Sequence, residues 1–143
     1  MPGPVVNLSG VSKSYLMAAG AVSILEGVAL KIEPGQKASL VGPSGSGKST
    51  LLALIAGLLR PDEGEVAIDG MAMGTLDDDA RADLRARRIG IALQSDNLIP
   101  FLTAHENVTL AMGFGGGKGE ARALLDRMGQ DKFTSRGCLR SRV

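Results

Sequence analysis

The sequence predicts an α/β fold that is built around a glycine-rich loop. Two observations predict it. Residues 42–47 contain three glycines within six positions, and Lys48, Ser49 and Thr50 follow directly. A short apolar run at residues 38–41 precedes this loop, and an apolar helix-like run at residues 51–59 follows it. A strand, a tight loop and a helix in this order indicate an α/β unit in which the loop joins the strand to the helix.

The remaining strands are predicted from short apolar or alternating runs that end at turn-forming residues. The turn at residues 33–36 contains Pro34 and Gly35, and the turn after residue 68 contains Asp69 and Gly70. The predicted strands are residues 5–8, 28–32, 38–41, 65–68 and 89–93.

Boundary signals predict four helices. Pro61 cannot continue a helix, so the one that begins at Lys48 ends near residue 60. Residues 77–88 carry acidic side chains first and basic ones last, as the helix dipole favours. Thr103 and Glu106 form a capping box that opens a helix through Met112. Residues 120–128 form the last predicted helix, after a glycine-rich link at residues 113–119.

The glycine-rich segment matches the phosphate-binding pattern G-x-x-x-x-G-K-[ST]. Its glycines allow the backbone to aim N–H groups at phosphate oxygens, and the following helix adds the positive end of its dipole. Lys48 is expected to contact the β- and γ-phosphates, Ser49 to ligate Mg²⁺, and Thr50 to hold outer phosphate oxygens. The predicted nucleotide-binding residues here are Gly42, Pro43, Ser44, Gly45, Ser46, Gly47, Lys48, Ser49 and Thr50. The structural alternative is a glycine-rich turn before a core helix.

Composition excludes several other classes of protein. The 143 residues carry a net charge of +1, and aromatic residues make up 3% with no tryptophan, which disfavours nucleic-acid binding. The single cysteine, Cys138, excludes an internal disulfide and a cysteine zinc site. The longest apolar run is too short to cross a bilayer, so we expect any membrane role to depend on a partner. His105 has no second metal-type ligand nearby, and it is interpreted as a surface residue in the first turn of a helix.

Several segments in the right order make residues 1–129 resemble the first part of an ABC-type ATPase domain. Residues 11–15 resemble the family segment that ends in an aromatic residue, and residues 89–95 resemble its Q-loop. The other matching segments are residues 33–36, 54–58, 64–66, 98–100, 102–104 and 106–108. The resemblance implies a P-loop NTPase fold with N-terminal antiparallel strands and a RecA-like core that lacks its C-terminal part. Residues 76–94 resemble more closely the lipoprotein-releasing and macrolide-exporting group of bacterial ABC ATPases.

The resemblance also implies roles for two residues outside the loop. Tyr15 would stack on adenine, and Gln94 would contact Mg²⁺ and the attacking water and sense the membrane partner. Gln94 and Lys48 are thus the expected catalytic residues, with Ser49 and Gln94 as metal ligands. The structural alternatives are a half-buried tyrosine and a polar residue at a strand end. The implied partners are a second ATPase subunit and transmembrane permease subunits at the inner face of the cell membrane, with ATP and Mg²⁺ as cofactors and no nucleic acid.

Three motifs that the family uses for hydrolysis are missing from the sequence. After Gln94 there is no apolar run followed by Asp-Glu, no Leu-Ser-Gly-Gly-Gln-like signature, and no histidine beyond His105. Residues 130–143 carry four basic residues and one acid, and the family pattern stops there. This segment is predicted to be a basic tail, either disordered or the product of a frameshift, which follows a truncated domain at residues 1–129.

Four functions remain open at this point. One is an ATP-hydrolysing transporter subunit in truncated form, and another is a nucleotide-binding remnant that does not hydrolyse ATP. A soluble ABC protein that acts on nucleic acid or in cluster assembly is disfavoured by the near-neutral charge. A P-loop kinase or GTPase is disfavoured by the ABC-like surroundings of Tyr15 and Gln94.

Overall fold

The computed structural model describes residues 3–18, 20–93, 97–114 and 121–129. The chain divides into two compact units after Asp83. Gln94 and the predicted tail at residues 130–143 lie outside the described residues.

The first unit contains an antiparallel sheet in the strand order β2-β1-β3-β4. Its strands are β1 (Val6–Met17), β2 (Gly20–Ile32), β3 (Glu63–Ile68) and β4 (Met71–Ala72). Strands β1 and β2 are longer than predicted because they form one hairpin, which pairs from Val6 with Ile32 to Met17 with Gly20. The predicted N-terminal antiparallel strands are confirmed, and residues 11–15 lie within β1 rather than after it.

The core of this unit lies where β1 is paired on both sides. Leu8 and Val11 of β1 and Val66 of β3 are fully buried, and Leu8 is paired with Val66. Strand β3 also comes very close to β1 at Gly64, where an added Cβ would lie 2.3 Å from the carbonyl oxygen of Gly10. Only glycine fits at this position.

Helix α1 (Lys48–Ile55) begins directly after the glycine-rich loop and contacts β3. Its predicted end near residue 60 is wrong. Gly57 adopts a φ of 66°, the Leu58 N–H donates to the Ala53 carbonyl, and the Gly57 N–H donates to the Leu54 carbonyl. This pattern is a Schellman motif, so a left-handed glycine ends the helix before Pro61 is reached.

The predicted strand at residues 38–41 is absent. These residues have no strand pairing in the described chain, and Val41 is 88% exposed. A strand is defined by hydrogen bonds to a neighbour, and no described segment supplies one here.

Helix α2 (Asp78–Arg88) crosses the division between the units, and the Asp77 carboxylate accepts a hydrogen bond from the Ala80 N–H at its start. A short 3₁₀ turn (Met73–Thr75) precedes it. Helices α3 (Ala104–Phe114) and α4 (Ala121–Arg127) contact each other in the second unit. No helix among the described residues is long and apolar enough to span a bilayer.

The predicted capping box of α3 is confirmed. The Thr103 N–H donates to Glu106 Oε2 at 2.7 Å, and the Glu106 N–H donates to Thr103 Oγ1 at 3.2 Å. These bonds satisfy backbone groups that the first turn of a helix otherwise leaves unpaired. The Asn107 side chain holds the preceding loop, because its Oδ1 accepts from the Ile99 N–H at 2.7 Å.

The predicted strand at residues 89–93 is also absent. At its end the Leu93 N–H donates to Asn97 Oδ1 at 2.6 Å, and the Asn97 side-chain amide donates back to the Leu93 carbonyl. The Asn97 side chain thus bonds both the N–H and the carbonyl of Leu93, the two groups that a neighbouring strand would otherwise pair with.

Candidate functional site

The glycine-rich loop has the backbone conformation that its sequence predicts. Gly45 and Gly47 both have a φ of 81°, and the Ser46 N–H donates to the Pro43 carbonyl. Gly47 is the N-cap of α1, and no side chain caps the helix. The first N–H groups of α1 therefore remain available to an anion, and they lie at the positive end of the helix dipole.

Gly47 also fixes the loop against the sheet. A Cβ at this position would lie 2.9 Å from Leu25 Cδ2 and 3.0 Å from the carbonyl oxygen of Ile24, both on β2. The start of α1 is thus in close contact with the strand that pairs with β1.

Lys48 folds back over the loop. Its Nζ donates to the Gly42 carbonyl at 2.8 Å, to the Pro43 carbonyl, and to Ser46 Oγ at 3.3 Å. The ammonium group therefore lies in the hollow formed by the loop, where it can balance the charge of a phosphate.

Tyr15 and the loop line one pocket of about 470 Å³. Tyr15, Lys48, Ser49 and Thr50 therefore border the same space. The pocket is lined by Tyr15, Met17, Ile24, Ser44, Gly45, Gly47, Lys48, Ser49 and Thr50. Seven of these residues are predicted site residues. Of the other four predicted site residues, Gly42, Pro43 and Ser46 lie in the loop and contact Lys48, and Gln94 lies outside the described residues.

Met17 and Ile24 also line the pocket, and the sequence did not predict them as site residues. Tyr15 and Met17 are two residues apart in β1, so strand alternation places them on one face. Met17 could therefore have been predicted from the sequence if residues 15–17 had been assigned to a strand. Ile24 depends on the pairing of β2 with β1, which the sequence did not define.

Asp62 holds β1 next to the pocket. Its Oδ1 accepts from Lys13 Nζ at 2.6 Å, and its Oδ2 accepts from the Ser14 N–H at 2.7 Å. The hydrogen bond from Lys13, and then that from Ser14, lower the pKa of the Asp62 carboxyl below its usual value. Lys13 Nζ in turn lies 5.9 Å from the centroid of the Tyr15 ring.

The ABC transporter family model matches residues 25–142, most of the chain. The chain belongs to the ABC transporter family. As part of an ABC transporter cassette, it shares the fold of the solved cassette MJ0796. The dimeric MJ0796 structure in a post-hydrolysis state, bound to ADP and Pi, aligns with a TM-score of 0.82 and 39% identity, over 92% of this chain and 61% of that one.

Lipoprotein-releasing and macrolide-export proteins are among its relatives. The chain is 46% identical to the lipoprotein-releasing system ATP-binding protein LolD of Ruegeria pomeroyi, over 90% of this chain and 59% of that protein. It is 39% identical to the macrolide export ATP-binding/permease protein MacB of Syntrophobacter fumaroxidans, over 87% of this chain and 18% of that protein. The chain thus spans about three fifths of the length of the LolD protein that it matches.

Proposed function

We propose that this chain binds ATP with Mg²⁺ as the nucleotide-binding part of an ATP-hydrolysing transporter subunit. One observation supports the proposal most strongly: the pocket brings the Tyr15 ring together with Lys48 and the phosphate loop. A nucleoside triphosphate needs an apolar surface for its base and a cationic site for its phosphates, and both are present here.

Each side chain has a role that its chemistry supports. Lys48 contacts the β- and γ-phosphates, Thr50 the outer phosphate oxygens, and Tyr15 the adenine ring. Ser49 is exposed on the pocket, and its hydroxyl oxygen is a ligand type that Mg²⁺ accepts. Bound Mg²⁺ would neutralise charge on the phosphates, and Gln94 is proposed as its second protein contact.

The relatives support a role in export or lipoprotein release. LolD is a lipoprotein-releasing ATP-binding protein, and MacB joins an ATP-binding and a permease region for macrolide export. MJ0796 is dimeric in the solved structure. We therefore propose that the subunit acts with a second ATPase subunit and with permease subunits at the inner face of the membrane, and without nucleic acid.

A second candidate function is a nucleotide-binding module that does not hydrolyse ATP. Residues 95–143 contain no apolar run followed by Asp-Glu, so we propose that the 143-residue stretch by itself binds ATP without hydrolysing it, because phosphoryl transfer requires groups that hold the metal and position the water. ATP binding is common to both functions, whereas ATP turnover distinguishes them.

The experiment that tests the proposal is calorimetric titration of the 143-residue chain with ATP and Mg²⁺. We expect Lys48→Ala to lower ATP affinity by about 100-fold, because charge-assisted hydrogen bonds contribute roughly 1.5–3 kcal/mol each. The matched control is Lys37→Ala, since Lys37 is exposed and does not line the pocket. Unchanged ATP affinity in Lys48→Ala would refute the phosphate-binding assignment.

A further inference from the structure

We propose that Asp62 is a positioning residue for recognition of the nucleotide base: through Lys13 and the Ser14 backbone it holds Tyr15 beside the phosphate loop. This inference rests on the proposed function, because it assigns the Tyr15 ring to the base and the loop to the phosphates. Asp62 does not line the pocket itself, so it acts through its neighbours.

Asp62 joins the segment that follows the phosphate helix to the strand that carries Tyr15. Helix α1 begins at the loop and ends at Ile55, and the chain then reaches Asp62. There the Asp62 N–H donates to the Ser12 carbonyl at 2.9 Å, in addition to the two bonds that the carboxylate accepts. These contacts set the spacing between the phosphate loop and the Tyr15 ring.

Strand pairing supports this part of β1 from one side only, because residues 13–17 are paired with β2 but not with β3. The pairing of β1 with β3 ends at Ser12, which is opposite Glu63. The pairing with β2 changes register between Val11 and Lys13 and again between Lys13 and Ser14. Strand β3 therefore offers no partner to the Ser14 N–H, and Asp62 Oδ2 accepts its hydrogen bond instead.

The same carboxylate fixes a cation near the Tyr15 ring. Lys13 Nζ lies 5.9 Å from the ring centroid, and the Lys13 side chain is only 17% exposed. Ion pairing to Asp62 keeps the ammonium at one side of the ring, and Tyr15 is 36% exposed and borders the pocket.

The test substitution is Asp62→Asn, which preserves shape. Both partners of the carboxylate are hydrogen-bond donors, whereas an amide has only one acceptor oxygen. The variant therefore loses at least one of the two contacts. Asp79→Asn is the matched control, because Asp79 is an exposed aspartate on α2 that does not line the pocket.

Two measurements distinguish recognition of the base from recognition of the phosphates. Affinities for ATP and for inorganic triphosphate, each with Mg²⁺, are measured by calorimetry. The chain has one tyrosine and no tryptophan, so its intrinsic fluorescence reports Tyr15 alone. Excitation at the red edge of the tyrosine band avoids absorption by the base.

We expect Asp62→Asn to weaken ATP binding roughly three- to tenfold, the range for loss of one net hydrogen bond. Triphosphate affinity should stay within about twofold, and the change in Tyr15 emission on ATP addition should be smaller than in the unaltered chain. Lys13→Met should produce the same selective loss while keeping the bond from Ser14, so it tests the idea if Asp62→Asn does not fold.

An unchanged ratio of ATP to triphosphate affinity in both variants would overturn the inference. An equal loss for both ligands would also overturn it, because Asp62 would then act through the loop as a whole. If the unaltered chain binds neither ligand, the proposed function itself fails. If the unaltered chain binds both ligands but the variants show no selective loss of ATP affinity, the proposed function stands and this inference alone is refuted.

Discussion

Two glycines of the phosphate loop provide a matched pair for testing how the loop is held against the sheet. Gly45 and Gly47 have the same φ of 81°. A Cβ at Gly45 would meet no heavy atom within 4 Å, whereas a Cβ at Gly47 would lie 2.9 Å from Leu25 Cδ2 and 3.0 Å from the Ile24 carbonyl oxygen. The two alanine substitutions thus share a backbone strain and differ in packing.

The magnitudes follow from these two contributions. An alanine in the left-handed region costs roughly 1–2 kcal/mol, and this contribution is common to both variants. Crowding of a packed site adds about 1–3 kcal/mol in Gly47→Ala only. Leu25 can move its terminal methyl, but the Ile24 carbonyl belongs to the backbone of β2 and cannot yield as easily.

The assay is urea denaturation followed by circular dichroism, with the unaltered chain, Gly45→Ala and Gly47→Ala measured together. We expect Gly47→Ala to lower the free energy of unfolding by about 1–3 kcal/mol more than Gly45→Ala does. Equal losses in the two variants would refute the contact between the loop and β2.

Three further predictions concern other parts of the chain. Gly64→Ala should destabilise the sheet by roughly 3 kcal/mol or more, because its Cβ would lie 2.3 Å from the Gly10 carbonyl oxygen. The control, Gly70→Ala, has a similar φ but an open surrounding, so it should cost only about 1–2 kcal/mol. Equal denaturation midpoints for the two variants would contradict this prediction. The pKa of Glu106 lies below its usual value, chiefly because the Thr103 N–H and hydroxyl donate to its carboxylate and to a lesser extent because of His105. The ionised carboxylate therefore stabilises the fold at pH values above the usual pKa of glutamate, and this contribution is lost as the pH falls through the lowered pKa. The difference in unfolding free energy between the unaltered chain and Glu106→Gln should therefore be largest at neutral pH and approach zero in acid. A difference that does not change with pH would exclude the capping box as its cause. Finally, the 143-residue chain should show no ATP hydrolysis above that of Lys48→Ala in a phosphate-release assay, since its sequence after Gln94 lacks the Asp-Glu run, the signature and a further histidine; turnover that depends on Lys48 would contradict this prediction.

Local features of the fold were predictable from the sequence because their causes are local. The capping box needs only Thr103 and Glu106 three residues apart, and the structure contains both of its hydrogen bonds. The phosphate loop likewise depends on glycines at fixed spacing before a helix, and Gly45 and Gly47 have the left-handed conformation that this requires.

Other features depend on pairings between distant residues. Asp62 is 49 residues from Lys13, so no local sequence pattern links the two. Ile24 lines the pocket because of the register of β2 against β1, which includes three irregularities that no local pattern predicts. The distant residues that hold and line the pocket were therefore missed, because only the motif residues follow from a local pattern.

The two wrong strand predictions share one physical cause. Residues 38–41 and 89–93 are apolar enough to be strands, and an apolar run predicts burial. Yet Leu40 and Leu93 are 44% and 58% exposed, and neither segment is paired with a strand in the described chain. Apolar sequence supplies only the tendency to be buried, whereas a strand also requires a neighbour that accepts and donates its backbone hydrogen bonds. The Asn97 side chain shows the consequence at Leu93, because it takes both backbone groups where a strand partner is lacking.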